Sequence, residues 1–214
     1  MPGATFAASR AIGRESASSG KPFGAIAVGG KSAYQHNMRR TTLAILDVRT
    51  RPGNRRQGWL AAGPRRIPVA LGRAGIKANK REGDGATPTG RFHLVRLWWR
   101  ADRLPRPRTR LPIRPIGPLD GWCEDPADRC YNRPIKLEPD RPGDRLRRAD
   151  ALYDMIIEID HNTRPRIAGR GSAVFLHVAR AALAPTAGCI AMPAATLRRL
   201  LVRLGPNTSI RIHC

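Results

Sequence analysis

A mostly-β domain, built as a β-sandwich or mixed sheet with one helix in its C-terminal half and long Pro/Arg-rich loops, is the fold class this sequence predicts. Three observations carry the prediction. Short runs rich in Ile, Val and Leu recur along the chain, punctuated by 21 Gly and 19 Pro in 214 residues, as turn-rich sheet proteins require. One stretch alone shows a sustained helical period. Strands do not alternate with helices, so a βαβ repeat is not expected.

The elements follow in chain order. Residues 1–40 are Ala-, Ser- and Gly-rich without period and read as a disordered or mis-started N-terminal segment; the folded domain is expected over 41–214. "TLAILDVRT" is a strand by its branched aliphatic content, and "RPGN" turns it. "GWLAAG" and "RIPVALG" are short strands on either side of a Gly-Pro break. "GDGATPTG" (83–90) is a concentrated turn signal, and "RFHLVRLWWR" after it is a strand of imperfect alternation. Residues 101–150 are dense in proline, which cannot donate to a sheet ladder. They are expected to form a long loop region over the sheet, ordered through Trp122, Tyr131 and Ile135. "LYDMIIEID" and "SAVFLHVA" are the two strongest strands. "PAATLRRLLVRLG" places Leu197, Leu200, Leu201 and Leu204 on one helical face, with Pro193 in the first turn and Gly205-Pro206 as the stop. "TSIRIHC" is a final strand.

Composition narrows the function. The chain carries 39 Lys and Arg against 16 Asp and Glu, a net charge of +23. That charge favours an anionic partner such as nucleic acid, an acidic membrane surface or an anionic polymer. An RNA module should interleave aromatic and basic residues on strands, yet aromatics make up only 5% and no strand has that pattern. A specific nucleic-acid partner is therefore not expected, although charge alone gives a salt-steep affinity. No apolar run is long enough to span a membrane, and "FGAIAVGG" (23–30) is too short and Gly-weakened for an export signal. Of the four cysteines, Cys123 and Cys130 can either bridge or stay free. No Cys-x-x-Cys pair is present, and neither a metal nor a cofactor is expected.

The chemistry concentrates in "HVARAALAPTAGCIAM" (177–192). Taken singly, a buried cysteine or a histidine at the end of a strand is usually structural. Together they fit a nucleophile and its base. Gly188 permits a tight turn that presents the Cys189 sulfur. His177 closes an apolar strand, and the helix start near Pro193 is expected to lower the thiol pKa through its dipole. The amides of Gly188 and Cys189 are candidate oxyanion donors.

"FLH", "PTAGCIAM" and the upstream "KREGDGATPTGRFHL" resemble, in order, the motifs of the L,D-transpeptidase family of YkuD-type cysteine enzymes that act in bacterial cell-wall synthesis. The resemblance covers about residues 42–213 and leaves 1–40 outside. It departs at two positions: Ala187 stands where the common motif has His before Gly-Cys, and Ala191 where it has Arg two residues after Cys. The resemblance implies ping-pong acyl transfer from a tetrapeptide stem through a Cys189 thioester to an acceptor amine, with His177 moving the protons. It also implies peptidoglycan stem peptides as partners, a monomer, and a periplasmic or cell-envelope location. A hydrolase on the same scaffold is the alternative within enzymes, and a basic nucleic-acid or anionic-polymer binder the alternative from another class. Thr186, His161, Asn162, Tyr131, Arg133 and Trp122 are candidate substrate-binding residues, with Arg133 the first choice to replace the missing cation.

Overall fold

The computed structural model of the protein describes residues 42–138 and 140–214; the segment expected to be disordered, 1–40, lies outside them. The chain runs through β1 (Ile45–Arg51), β2 (Asn54–Ala62), β3 (Arg65–Ala70), β4 (Ile76–Lys77), β5 (Thr87–Pro88), β6 (Gly90–Trp99), β7 (Ile113–Pro115), β8 (Asp120–Trp122), β9 (Pro134–Lys136), β10 (Asp144–Arg145), β11 (Met155–Ile159), β12 (Phe175–Val178), β13 (Ile190–Met192), α1 (Ala194–Leu201) and β14 (Ser209–Ile212). The mostly-β expectation with one α-helix holds.

Nine strands form one mixed sheet in the order β11-β12-β13-β3-β2-β1-β14-β6-β7. The long β6 pairs β14 through Gly90–His93 and β11 through Leu94–Trp99. That second pairing closes the sheet on itself, which leaves few open edges. Parallel neighbours occur at β1–β14, β6–β7 and β12–β13.

Two apolar clusters lie on opposite faces of this sheet. The larger holds Leu46, Leu60, Ile157, Leu176, Ile190 and the α1 face Leu197, Leu200, Leu201 with Leu204. The smaller holds Trp98, Ile156, Phe175 and Cys189 from the sheet with Ile116, Trp122, Leu146 and Tyr153. Side chains alternate along a strand, so neighbouring residues of one strand feed different clusters. β11 and β12 are therefore buried on both faces throughout, which explains their unbroken apolar runs.

The proline-rich region supplies the cover for the second cluster. It is not wholly loop: β8, β9 and β10 form a small three-stranded sheet of their own, and β7 extends the main sheet. Pro115 and Pro134 end or begin their strands, where a missing donor is tolerated. Trp122 and Tyr131 are buried. Cys123, Cys130, Cys189 and Cys214 are free thiols.

Candidate active site

β12 and β13 run parallel, with His177 opposite Ala191 and Leu176 opposite Ile190. Cys189 therefore precedes β13 by one residue and lies two positions before Ala191. By the strand alternation, Cys189, Ala191, Phe175 and His177 share one face. His177 and Cys189 both line a cavity of about 480 Å³ between the sheet and the proline-rich region.

The turn before Cys189 is built from several contacts. Gly188 has φ +148°, and a Cβ there would lie 2.8 Å from the Ala86 carbonyl oxygen, so only glycine fits. The Thr186 hydroxyl donates to the Cys189 carbonyl at 2.7 Å and accepts the Gly188 N–H at 3.1 Å. Thr186 thus shapes the turn. Because Thr186 Oγ1 holds the Gly188 amide, that amide is no spare oxyanion donor, and of the expected pair the Cys189 amide stands alone. The other motif supports the turn from behind. Asp84 accepts from Lys80 Nζ at 2.6 Å, Ala86 N at 2.8 Å and Arg81 N at 3.0 Å. Thr87 Oγ1 accepts the Gly72 amide at 2.9 Å. "GDGATPTG" and "TAGC" are far apart in sequence and in contact in space.

The sulfur accepts the Phe175 N–H at 3.3 Å and donates to the Ala173 carbonyl at 3.1 Å. Its bonds go to the backbone rather than to the imidazole. Burial pushes the thiol up to about 12, against a smaller lowering by the Phe175 amide and Lys80. The expected help from the helix dipole is absent for a geometric reason. β13 intervenes between Cys189 and α1; three extended residues span about 10 Å, and the dipole's effect fades within the first turn.

His177 Nδ1 lies 2.8 Å from the Val178 carbonyl oxygen. A carbonyl can only accept, so Nδ1 carries the proton and Nε2 the lone pair of the neutral ring. The orienting group is thus backbone, invisible to sequence. Burial holds His177 down to about 4, and the Tyr153 ring packs on it edge to face, 5.4 Å between centroids. A neutral imidazole and a neutral thiol are the resting pair.

The other expected residues fall outside the cavity lining. His161 Nε2 bonds the Arg170 carbonyl at 3.2 Å, and the ring packs on Phe92. Asn162 closes its own loop, its side chain bonded to Ile167 and Gly171, which is turn chemistry. The Tyr131 hydroxyl donates to Glu82 and accepts the Gly171 N–H at 3.0 Å. Trp122 is core, its Nε1 bonded to Asn132 Oδ1 at 3.0 Å. Arg133 is exposed and absent from the cavity, which corrects the expectation that it replaces the missing arginine. The cations that line the cavity are Arg73, Lys80, Arg148 and Arg180. Lys80 is paired with Asp84, and Arg148 with Asp144 and Asp150.

Sequence reasoning missed three features. Glu82, Glu124 and Asp144 give the cavity an acidic side; desolvation beside Asp144 and Glu82 pushes Glu124 up to about 7. Ser172 lines the cavity with a buried hydroxyl that has no hydrogen-bond partner. Asn132 is a buried hub: Oδ1 also accepts the Ala173 N–H at 3.3 Å, and Nδ2 donates to the carbonyls of His161 and Asn162. No local pattern marks a polar residue that acts through tertiary contacts. Among the described residues, no group of three or more His, Cys, Asp or Glu side chains is placed to hold a metal ion.

A family model described as the L,D-transpeptidase catalytic domain, YkuD, matches residues 48–212. No curated protein and no solved structure matches the chain.

Proposed function

The chain belongs to the L,D-transpeptidase catalytic-domain family, and from that premise we propose that it transfers acyl groups between peptidoglycan stem peptides through a thioester on Cys189. The observation that carries this reading is the placement of His177 on β12 and of Cys189 immediately before the parallel β13, both lining one cavity.

The thiol is not ionised at rest, so attack and proton transfer are coupled. Donor binding displaces the Ala173 carbonyl from the thiol hydrogen, and the proton passes to His177 Nε2 as sulfur bonds to the stem carbonyl carbon. The Cys189 amide steadies the oxyanion, a contribution of about 10²–10³ in rate for one good donor. The tetrahedral adduct then breaks its C–N bond. His177 gives its proton to the leaving D-alanine amine, and the thioester remains. The acceptor amine attacks the thioester carbon, loses its proton to His177, and the proton returns to sulfur as the C–S bond breaks.

The two sides of the cavity suit a substrate with both charges. Arg73 and Arg180 line it and form no carboxylate ion pair among the described residues, and Arg73 already donates to the Gly83 carbonyl at 3.3 Å; in place of Arg133, Arg180 is the cation that takes a stem carboxylate where the usual motif arginine is Ala191. Glu124, with the already partnered Glu82 and Asp144 beside it, is the acidic group that faces the amine partner. A cell-envelope location, outside the inner membrane, goes with this reading because peptidoglycan lies there.

Incubation with a purified disaccharide-tetrapeptide, followed by mass spectrometry, tests the reading. Cross-linked dimer with release of D-alanine is expected. It should vanish in Cys189→Ala and persist in Cys123→Ala and Cys214→Ala. Shortened stems without dimers would make the enzyme a hydrolase. Full product from Cys189→Ala would end the proposal.

A further inference from the structure

A second cavity, of about 410 Å³, lies between α1 and the β2–β3 hairpin and shares no residue with the first. Four arginines line it: Arg65 and Arg66 from the start of β3, Arg199 from α1, and Arg203 just beyond it. Arg203 folds back over the hairpin turn, its guanidinium nitrogens within 3.7–4.0 Å of where a Gly63 Cβ would stand. The rest of the lining is Ala62, Ile67, Pro68, Thr196 and Leu200. It contains no acidic residue. Among the described residues, none of the four guanidiniums forms an ion pair, and Arg199 donates only to the Thr196 hydroxyl at 3.3 Å.

Like charges brought together around a concave surface repel, and within about a Debye length, roughly 8 Å at physiological salt, the repulsion is only partly screened. An anion in the cavity relieves it. A carboxylate offers two acceptor oxygens, whereas a phosphate offers three or more on a tetrahedron, enough to engage several guanidinium forks from different directions. The cavity exceeds one phosphate, and its floor of Ile67 and Leu200 is apolar and buried.

We propose that this cavity binds a phosphate ester, its phosphate held by Arg65, Arg66, Arg199 and Arg203 and its adjoining group seated on the apolar floor. The ester is either a small soluble compound or a lipid headgroup. The site is independent of Cys189, so the proposal stands or falls apart from the acyl-transfer reading.

Calorimetric titration of the full chain with inorganic pyrophosphate, and co-sedimentation with vesicles of phosphatidylglycerol against phosphatidylcholine, test it. The double variant Arg199→Gln/Arg203→Gln is compared with Arg51→Gln/Arg108→Gln, which removes the same charge from exposed positions outside the cavity. The cavity variant should bind at least about tenfold more weakly, and the control within about twofold of wild type. Pyrophosphate binding lost in the cavity variant supports a soluble ester; vesicle binding alone, lost the same way, supports a lipid headgroup. Equal losses in both variants, or no binding of either probe by wild type, would overturn the site. Cavity-dependent binding of a single-stranded oligonucleotide with no response to either probe would overturn it in favour of nucleic acid.

Discussion

The Ala173 carbonyl accepts the thiol hydrogen of Cys189 at 3.1 Å, and Ala173 achieves this from a left-handed backbone, φ +48°. A non-glycine residue in that region is strained and persists only where its surroundings hold it. Asn132 is the holder, through its bond to the Ala173 amide. The acceptor of the thiol hydrogen is thus set by a side chain from the proline-rich region.

Replacing Asn132 with Ala should therefore act twice. It leaves the Trp122 indole, the Ala173 amide and two carbonyls without their partner, a destabilisation on the order of 3 kcal/mol. It should also slow formation of the acyl-enzyme in protein that is still folded. Denaturant unfolding measures the first and single-turnover acylation the second. Unchanged acylation in the folded variant would reduce Asn132 to a purely structural role.

His177 makes stability depend on pH. Its folded pKa, about 4, lies below the unfolded value of about 6.5. A depressed pKa means that the unfolded chain binds the proton more readily. The stability His177 contributes is then fully present above about pH 6.5 and is lost as pH falls toward 4, with a slope approaching about 1.4 kcal/mol per unit. The difference in unfolding free energy between wild type and His177→Gln should shrink by on the order of 3 kcal/mol over that window. A difference constant with pH would show that the ring is not buried neutral.

Ser172→Ala should separate binding from folding. The hydroxyl is buried without a partner, so its removal should leave stability unchanged or slightly higher. If the donor stem is what satisfies it, the donor KM should rise about threefold to tenfold, in keeping with one net hydrogen bond of about 1 kcal/mol. A loss of stability with no change in KM would place the hydroxyl outside the substrate's reach.

Arg180→Ala should lower kcat/KM for the donor by about tenfold, roughly 1.4 kcal/mol of transition-state stabilisation. Arg133→Ala and the distant Arg49→Ala should each stay within about twofold. Loss in Arg133→Ala but not Arg180→Ala would reverse the assignment made from the cavity lining.

Several elements were legible because their causes are local. Leucine spacing marked α1, and the two apolar runs marked β11 and β12. β13 was harder: only three residues long, it is held in the sheet by β12 and β3, and with it went the expected helix dipole at the sulfur. Arg133 was chosen for its chain neighbours, Tyr131 and Asn132, both of which turn inward while Arg133 stays exposed.

By itself the sequence determined the fold class, the nucleophile and base candidates, and the glycine that lets the cysteine turn form. Each depends on residue type and short-range spacing, which the chain carries wherever it goes. The tertiary structure decided the charge state of the thiol and imidazole, the Val178 carbonyl that orients His177, the cations that face the cavity, and the ring of arginines behind α1. Burial and through-space charge set these, and both depend on the register of strands far apart in the chain.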